Sequence, residues 1–346
     1  MGEVHYLTGV ILALIGGIGQ GSFLTPMKKM TKWEWENSWV IFAVTAYVIF
    51  PFLFAIITIP NLFEIYNAVG AGLIWSQFGY GIIWGVGAVS FGLGTLYLGL
   101  ALGFAIIMGL SCAMGALIPL LILHPEQIWS PESMAIYLGI IVMLLALVVI
   151  AKAGQLKEKE LAQHAGDGQN AGERKFGLGL FFCIFAGFVS SLINIIFAFG
   201  GAKLGETALQ MGVSQSFAGN AFWAVFLPGA CITNSGYAIY LLFKNKTWHN
   251  YTAPGSGSHW IWGILTGFLF MAGMGFYGMG ATNLGALGPS LGWPLMVSSM
   301  IISANIWGAL TGEWKGISKT PIRYQMVGLI LLIIAIIVIS AGPSLF

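Results

Sequence analysis

Ten stretches of this chain, each near the length of a membrane-crossing helix, contain almost no charge. They are Tyr6–Pro26, Ser38–Ile59, Leu73–Leu98, Leu102–Leu123, Met134–Ala153, Phe176–Gly200, Phe217–Phe243, Trp260–Gly280, Gly285–Leu310 and Tyr324–Ile339, and Lys152 is the one formal charge inside any of them. A helix needs about 20 apolar residues to cross the hydrocarbon core of a bilayer. The whole chain has only 14 basic and 12 acidic residues among 346, and its mean hydropathy is +0.87. A water-soluble fold of this size has a polar shell to build, and about a quarter of its residues are then charged; here the figure is 8%. The runs are apolar on all sides, without the alternation of an outer-membrane barrel strand, and inside lipid a chain of this kind satisfies its backbone only as helix. The expected fold is all-α and integral to the membrane, with ten transmembrane helices.

Charge then orients the spans. With ten crossings the termini share a side with the even-numbered loops, and that side carries Lys203 alone among the 14 basic residues. The opposite side holds the rest, including Lys28, Lys29 and Lys32 in "KKMTKWEWEN". Cytoplasmic loops carry the excess of Lys and Arg, so both termini are expected outside. Trp33 and Trp35 in the same block suit the interfacial aromatic belt. The N-terminus "MGEVHYLTG" lacks the basic start of a signal peptide, so the first run reads as a retained span. The polar stretch from Lys152 to Lys175 divides the spans five and five and reads as a solvated linker, with His164 in it solvated. The expected division is 1–153, a linker at 154–175 on the cytoplasmic side, and 176–346.

An internal repeat fits that division. "GAVSFGLGTLYLG", Gly87 to Gly99, resembles "GMGFYGMGATNLG", Gly273 to Gly285, at the end of the third and eighth spans. Gly87, Gly92, Gly94, Leu98 and Gly99 match Gly273, Gly278, Gly280, Leu284 and Gly285. Each half has an odd number of spans, so the second is expected to be inverted relative to the first, as in many secondary transporters. The 49 glycines suit close helix approach.

Chemistry must be carried by little. No Asp, Lys or Arg lies near the centre of a span, which weighs against a voltage sensor or a strongly charged substrate. HExxH, Walker A, GxSxG and nucleic-acid motifs are absent from the sequence, and an enzyme has no positive support. Cys112, Cys183 and Cys231 lie singly in apolar runs and read as small packing residues. Neutral polar and aromatic residues remain: Gln20, Trp84, Ser90, Tyr97, Asn194, Asn220, Trp223, Asn234, Tyr277 and Asn283. Amides and hydroxyls pair with sugar hydroxyls, and aromatic rings pack on the apolar face of a sugar. These ten are the candidate substrate-binding residues. Glu36 and Glu313, near span ends, are the candidate proton-coupling carboxylates, since a carboxylate moving between wet and dry surroundings takes up a proton as its pKa rises. For Glu36 the helix N-terminus gives an alternative, structural reading.

"KKMTKWEWE", "GLGTLYLG", "AGQLKEKE" and "TGEWKGISKTP", in this order across ten spans, resemble the L-rhamnose–proton symporter family of the drug/metabolite transporter superfamily. The resemblance runs over nearly the whole chain, and Glu36, Gln155 and Glu313 fall on its motifs. It implies ten helices in two inverted five-helix repeats. It also implies a multi-pass protein of the bacterial cytoplasmic membrane that takes up L-rhamnose or a related neutral 6-deoxyhexose by alternating access. The proton is then the coupling ion and no further cofactor is expected. The partners expected are a small neutral sugar and membrane lipid, not nucleic acid; the oligomeric state is left open. The chain departs from the family's pattern at Leu96 and over Gly285–Trp293, which leaves the sugar itself open. An exporter or exchanger of another neutral metabolite, and a membrane sugar sensor that moves nothing, are the alternatives.

Overall fold

A backbone in hydrocarbon has no water to bond, so each apolar run closes its hydrogen bonds on itself. The computed structural model describes residues 5–164 and 176–341, and among them it contains helices and no strand. Ten helices are long and apolar enough to cross a membrane: α1 (Tyr6–Lys29), α2 (Trp35–Thr58), α3 (Ala71–Leu98), α4 (Leu100–Leu123), α5 (Pro131–Ala162), α6 (Phe176–Gln210), α7 (Gln215–Asn245), α8 (Gly257–Asn283), α9 (Gly288–Leu310) and α10 (Lys319–Ser340). Each overlaps one run expected from the sequence. The protein is an all-α multi-pass membrane protein.

Two helices carry π turns. In α2 the turn covers Thr45–Ile49, just before Pro51, whose missing N–H interrupts the ordinary ladder. In α6 it covers Phe197–Gly201, beside a buried aromatic cluster. The first half of the polar stretch differs from the expectation of a linker. The helix of α5 continues past Ala162 without a break to His164, so residues 154–164 are helical. Their charges anchor that helix to its neighbours: Glu158 accepts from the Ala101 N–H at 3.3 Å, and Glu160 accepts from the Ser318 N–H at 2.9 Å. Asp167, Arg174 and Lys175 lie outside the described residues.

Packing is organised around α1 and α6. Helix α1 lies against α8 and α9, and α6 lies against α3 and α4. Helices α5 and α10 pack on each other, as do α2 and α7, and α4 meets α9. The glycines of the repeated segments account for the close approaches. A Cβ on Gly273 would sit 2.9 Å from the Gln20 nitrogen of α1, and one on Gly280 would sit 2.7 Å from the Ala13 nitrogen. Their counterparts in α3 face α6 in the same way: Gly87 meets Val189 and Ser190, and Gly94 meets Cys183. The segments also end alike. Gly99 and Gly285 turn the chain into α4 and α9 with φ of +88° and +80°, a region that residues with a Cβ rarely enter.

The two ends of the bundle differ in charge. The α1–α2, α3–α4, α7–α8 and α9–α10 connections meet at one end, with the extension of α5, through Lys28–Glu313, Lys157–Glu313, Glu158–Ala101 and Trp33–Asn250 contacts. The other end joins the first residues to the α8–α9 connection (His5 N–H to Asn283 O, 3.1 Å) and α2–α3 to α6–α7 (Asn61 Nδ2 to Met211 O, 3.2 Å). Among the described basic residues, only Lys203 belongs to that second end.

Candidate functional site

The largest buried side chains of the molecule include Trp223 and Tyr277, both fully enclosed where α7 and α8 meet α6. The π turn of α6 sets Phe197 flat against the Trp223 indole, with centroids 5.0 Å apart and 5° between planes. The Tyr277 ring lies 5.4 Å from Trp293 of α9, nearly perpendicular to it. Polar groups thread this aromatic packing. The Tyr277 hydroxyl donates to Asn194 Oδ1, and Asn194 Nδ2 donates to the carbonyls of Gly115 (2.8 Å) and Pro289 (3.0 Å). Trp293 Nε1 donates to the Ser111 carbonyl at 3.1 Å. One amide thus ties α6 to α4, α8 and α9 at a single level.

Next to it, the polar atoms stop being satisfied. Asn220, at the start of α7 and fully buried, has neither its amide nitrogen nor its oxygen bonded, and the Trp223 indole N–H is also without an acceptor among the described residues. Both lie beside Gly278: a Cβ there would be 2.7 Å from Trp223 Nε1 and 3.5 Å from Asn220 Oδ1. A buried polar group left unbonded costs about 1–3 kcal/mol, and native proteins keep few of them. Buried donors and an acceptor held together between aromatic walls match what a polyol offers: hydroxyl groups on an apolar ring.

Four of the ten substrate-binding candidates therefore converge: Asn194, Asn220, Trp223 and Tyr277. The other six lie elsewhere. Gln20 Nε2 donates to the Phe270 carbonyl at 2.8 Å and ties α1 to α8. Asn234 Oδ1 accepts from Trp39 Nε1 at 3.2 Å. Trp84 is half-buried between Tyr47 and Phe226, 6.0 and 5.9 Å away. Asn283 bonds Ser216 and the Met279 carbonyl near the end that carries the first residues. Ser90 is buried in α3. Tyr97 stacks on Phe182 and lines a cavity of about 450 Å³ with Gln155, Lys159 and Phe176, at the basic end. Trp293 and Phe197 join the same aromatic packing, and neither stands out in the sequence. An aromatic in an apolar helix carries no sequence signal that separates lining from packing.

Both candidate carboxylates sit at the basic end, in different settings. Glu36 is 4% exposed in the first turn of α2, and its Oε1 accepts from Asn245 Nδ2 and Thr247 Oγ1, each at 2.9 Å. Next to it, Asn37 Nδ2 donates to the Thr247 carbonyl, Asn37 Oδ1 accepts from Asn250, and the Asn37 carbonyl accepts from Tyr251. Burial, with the Glu36 charge nearby, pushes the Tyr251 hydroxyl up to about 12, so it remains a donor there. "KKMTKWEWEN" is thus docked along the α7–α8 connection, with Trp33 Nε1 on the Asn250 carbonyl at 3.0 Å.

Glu313 is half-exposed and ionic. Lys28 Nζ donates to it at 2.5 Å, and Lys157 Nζ lies 3.8 Å from its other oxygen and 4.6 Å over the Trp314 ring. The Lys28 hydrogen bond holds the Glu313 carboxyl below the usual carboxylate range; partial burial opposes this, and the charges of Lys28 and Lys157 add to the lowering. A lowered folded-state pKa contributes stability above the ordinary carboxylate value, and that stability disappears as pH falls through the lowered value. Glu313→Gln is therefore expected to melt slightly below the parent at pH 7, by less than about 1 kcal/mol for so exposed a pair. The difference should vanish in acid below the ordinary carboxylate range. A difference that persists there, in thermal melts followed by circular dichroism, would mean that the ion pair is not its source.

Comparison with known proteins gives the chain a family. Residues 3–344 match the family model described as L-rhamnose-proton symport protein (RhaT). Similar proteins include the L-rhamnose-proton symporter of Escherichia coli O1:K1 / APEC, 25% identical over 344 residues, which cover 97% of this chain and 98% of that protein. The L-rhamnose-proton symporter of Cronobacter sakazakii is 26% identical, over 97% of both chains. That of Mannheimia succiniciproducens is 26% identical, over 98% of both. With ten membrane-spanning helices and a match over nearly its full length, this chain belongs to the L-rhamnose-proton symport protein (RhaT) family, whose members are transporters and not enzymes.

Proposed function

We propose that this protein takes up L-rhamnose, or a related neutral 6-deoxyhexose, together with protons across the bacterial cytoplasmic membrane. The observation that carries the sugar site is the buried, unbonded Asn220 amide and Trp223 indole N–H, beside the Asn194–Tyr277 pair. A site built to bond hydroxyls leaves such groups unpaired when the hydroxyls are absent. Among the described residues no Lys, Arg, Asp or Glu bonds this cluster, which suits a neutral solute, and the relatives named above are L-rhamnose-proton symporters.

Alternating access between two inverted five-helix halves is the proposed mechanism. Three features support it: the matched partners of Gly87 and Gly273, the matched partners of Gly94 and Gly280, and the exchange of α1 on α8 and α9 for α6 on α3 and α4. The charge asymmetry supports an orientation with the basic end cytoplasmic and both termini outside. Glu36 and Glu313 carry the proton coupling in this reading. Each joins the first half to the second at the basic end, Glu36 through Asn245 and Thr247 and Glu313 through Lys28 and Lys157. Rearrangement of that end during the cycle would change the carboxylate's donors and with them its affinity for a proton.

The test is uptake of labelled L-rhamnose into proteoliposomes under an inward proton gradient, with unlabelled sugars as competitors. Unlabelled rhamnose and other 6-deoxyhexoses are expected to block uptake more strongly than sugars with a charged group. Uptake of rhamnose no faster than into protein-free vesicles would reject the substrate.

A further inference from the structure

The repeat assigns partners to the closed cluster that sit at the opposite end of the molecule, and those partners are apart. Alignment of the halves by their contacts fixes the equivalences. Gly94 on Cys183 corresponds to Gly280 on Ala13, which pairs Leu24 of α1 with Asn194 of α6. Phe42 lies 5.7 Å from Phe270, as Phe226 lies 5.9 Å from Trp84, which pairs Trp39 of α2 with Trp223 of α7. The sequence repeat itself pairs Gly92 with Gly278.

On the side of the termini these positions are packed. The Trp223 indole fills the space over Gly278, and Asn194 is fully buried and bonded. On the basic side the same positions are loose. Beyond its chain neighbours and its own turn of helix, no heavy atom of the described residues lies within 4 Å of a Cβ built on Gly92; Leu24 is 46% exposed, and Trp39 is only half-buried. Trp39 is also turned to another partner, its Nε1 donating to Asn234 Oδ1 at 3.2 Å and its ring stacked on Trp35 at 4.9 Å. A chain with two like halves that is closed at one end in this way has, in its other state, the same closure at the opposite end.

We infer that Trp39 and Gly92 form the inner gate: when the outer cluster opens, the Trp39 indole leaves Asn234 and seats over Gly92, as Trp223 seats over Gly278 here. This rests on the alternating-access reading above. It adds a specific consequence. Gly92 needs no small side chain in the present state and needs one only in the other.

Gly92→Leu tests it. The variant is expected to keep the parent's melting temperature, because the added side chain enters open space. It should lose rhamnose uptake by tenfold or more, because the indole has no seat. Gly92→Ala should show the same loss to a smaller degree, and it serves if the leucine variant does not fold. Gly278→Ala, whose methyl would press on Trp223 Nε1, should instead lower the melting temperature. The sidedness is read by an impermeant maleimide on Leu24→Cys, above the labelling of the native cysteines. In the Leu24→Cys protein, external rhamnose with an inward proton gradient should change labelling from the basic side. With Gly92→Leu added, labelling should stay at its resting level. If Gly92→Leu transports like the parent, or its labelling responds like the parent's, Gly92 faces lipid and the inference is wrong. A parent that moves no rhamnose would instead overturn the transport reading, which separates the two failures.

Discussion

Asn220→Leu is expected to abolish most rhamnose uptake while leaving the protein as stable as before, or more so. Leucine matches asparagine in shape, and the asparagine amide is fully buried with both polar atoms unbonded. Removing an unpaired buried amide relieves a penalty of about 1–3 kcal/mol. The same amide, if it bonds sugar hydroxyls in the loaded state, contributes a comparable amount to binding, which is roughly a tenfold to hundredfold change. Stability and transport should therefore move in opposite directions. Thermal melts and initial uptake rates on the same preparation check both. A packing residue would give the reverse pattern, lower stability with transport falling only in proportion to folded protein, and that result would remove Asn220 from the site.

The second large effect concerns Glu36. Glu36→Gln keeps an oxygen that accepts from Asn245 and Thr247, so the connection between α2 and the start of the α7–α8 loop should hold. It removes the ability to gain and lose a proton. Accumulation against a gradient should stop, with internal rhamnose rising only to the external concentration. Exchange of labelled for unlabelled rhamnose across the membrane should continue, since it needs no net proton movement. Intact accumulation in this variant would leave Glu36 with the structural role its full hydrogen bonding also fits, and would move the coupling to Glu313. Loss of accumulation and exchange together would indicate a damaged inner end rather than an uncoupled one.

What could be read from the sequence divides along physical lines. The ten spans are legible because hydrocarbon demands long apolar helices, a signal spread over some twenty residues each time. The repeated glycines are legible too, because close approach of two helices excludes a Cβ; Gly87, Gly94, Gly273 and Gly280 each meet a neighbouring helix. The helical extension to His164 was not legible. Its charges and amides match a solvated linker in composition, and only contacts made by Glu158 and Glu160 with distant residues reveal that it is held. The site was half legible. An amide within an apolar helix announces that it needs partners, but not whether these are backbone or solute. Asn194, Asn220 and Gln20 look alike in sequence; in the fold Gln20 is bonded to Phe270, Asn194 braces three helices, and Asn220 is left open. The pairing of Lys28 with Glu313 joins residues 285 positions apart, and no local pattern encodes it.

The most direct test of the central claim, that sugar and proton move together, is the internal pH of proteoliposomes loaded with a pH-sensitive dye. L-rhamnose is added outside with no pH difference imposed and with a permeant counter-ion present. Coupled uptake predicts that the lumen acidifies on addition of rhamnose, in step with uptake of the labelled sugar, and that the Glu36→Gln protein gives no acidification. Rhamnose entry at full rate with no change in internal pH would contradict it.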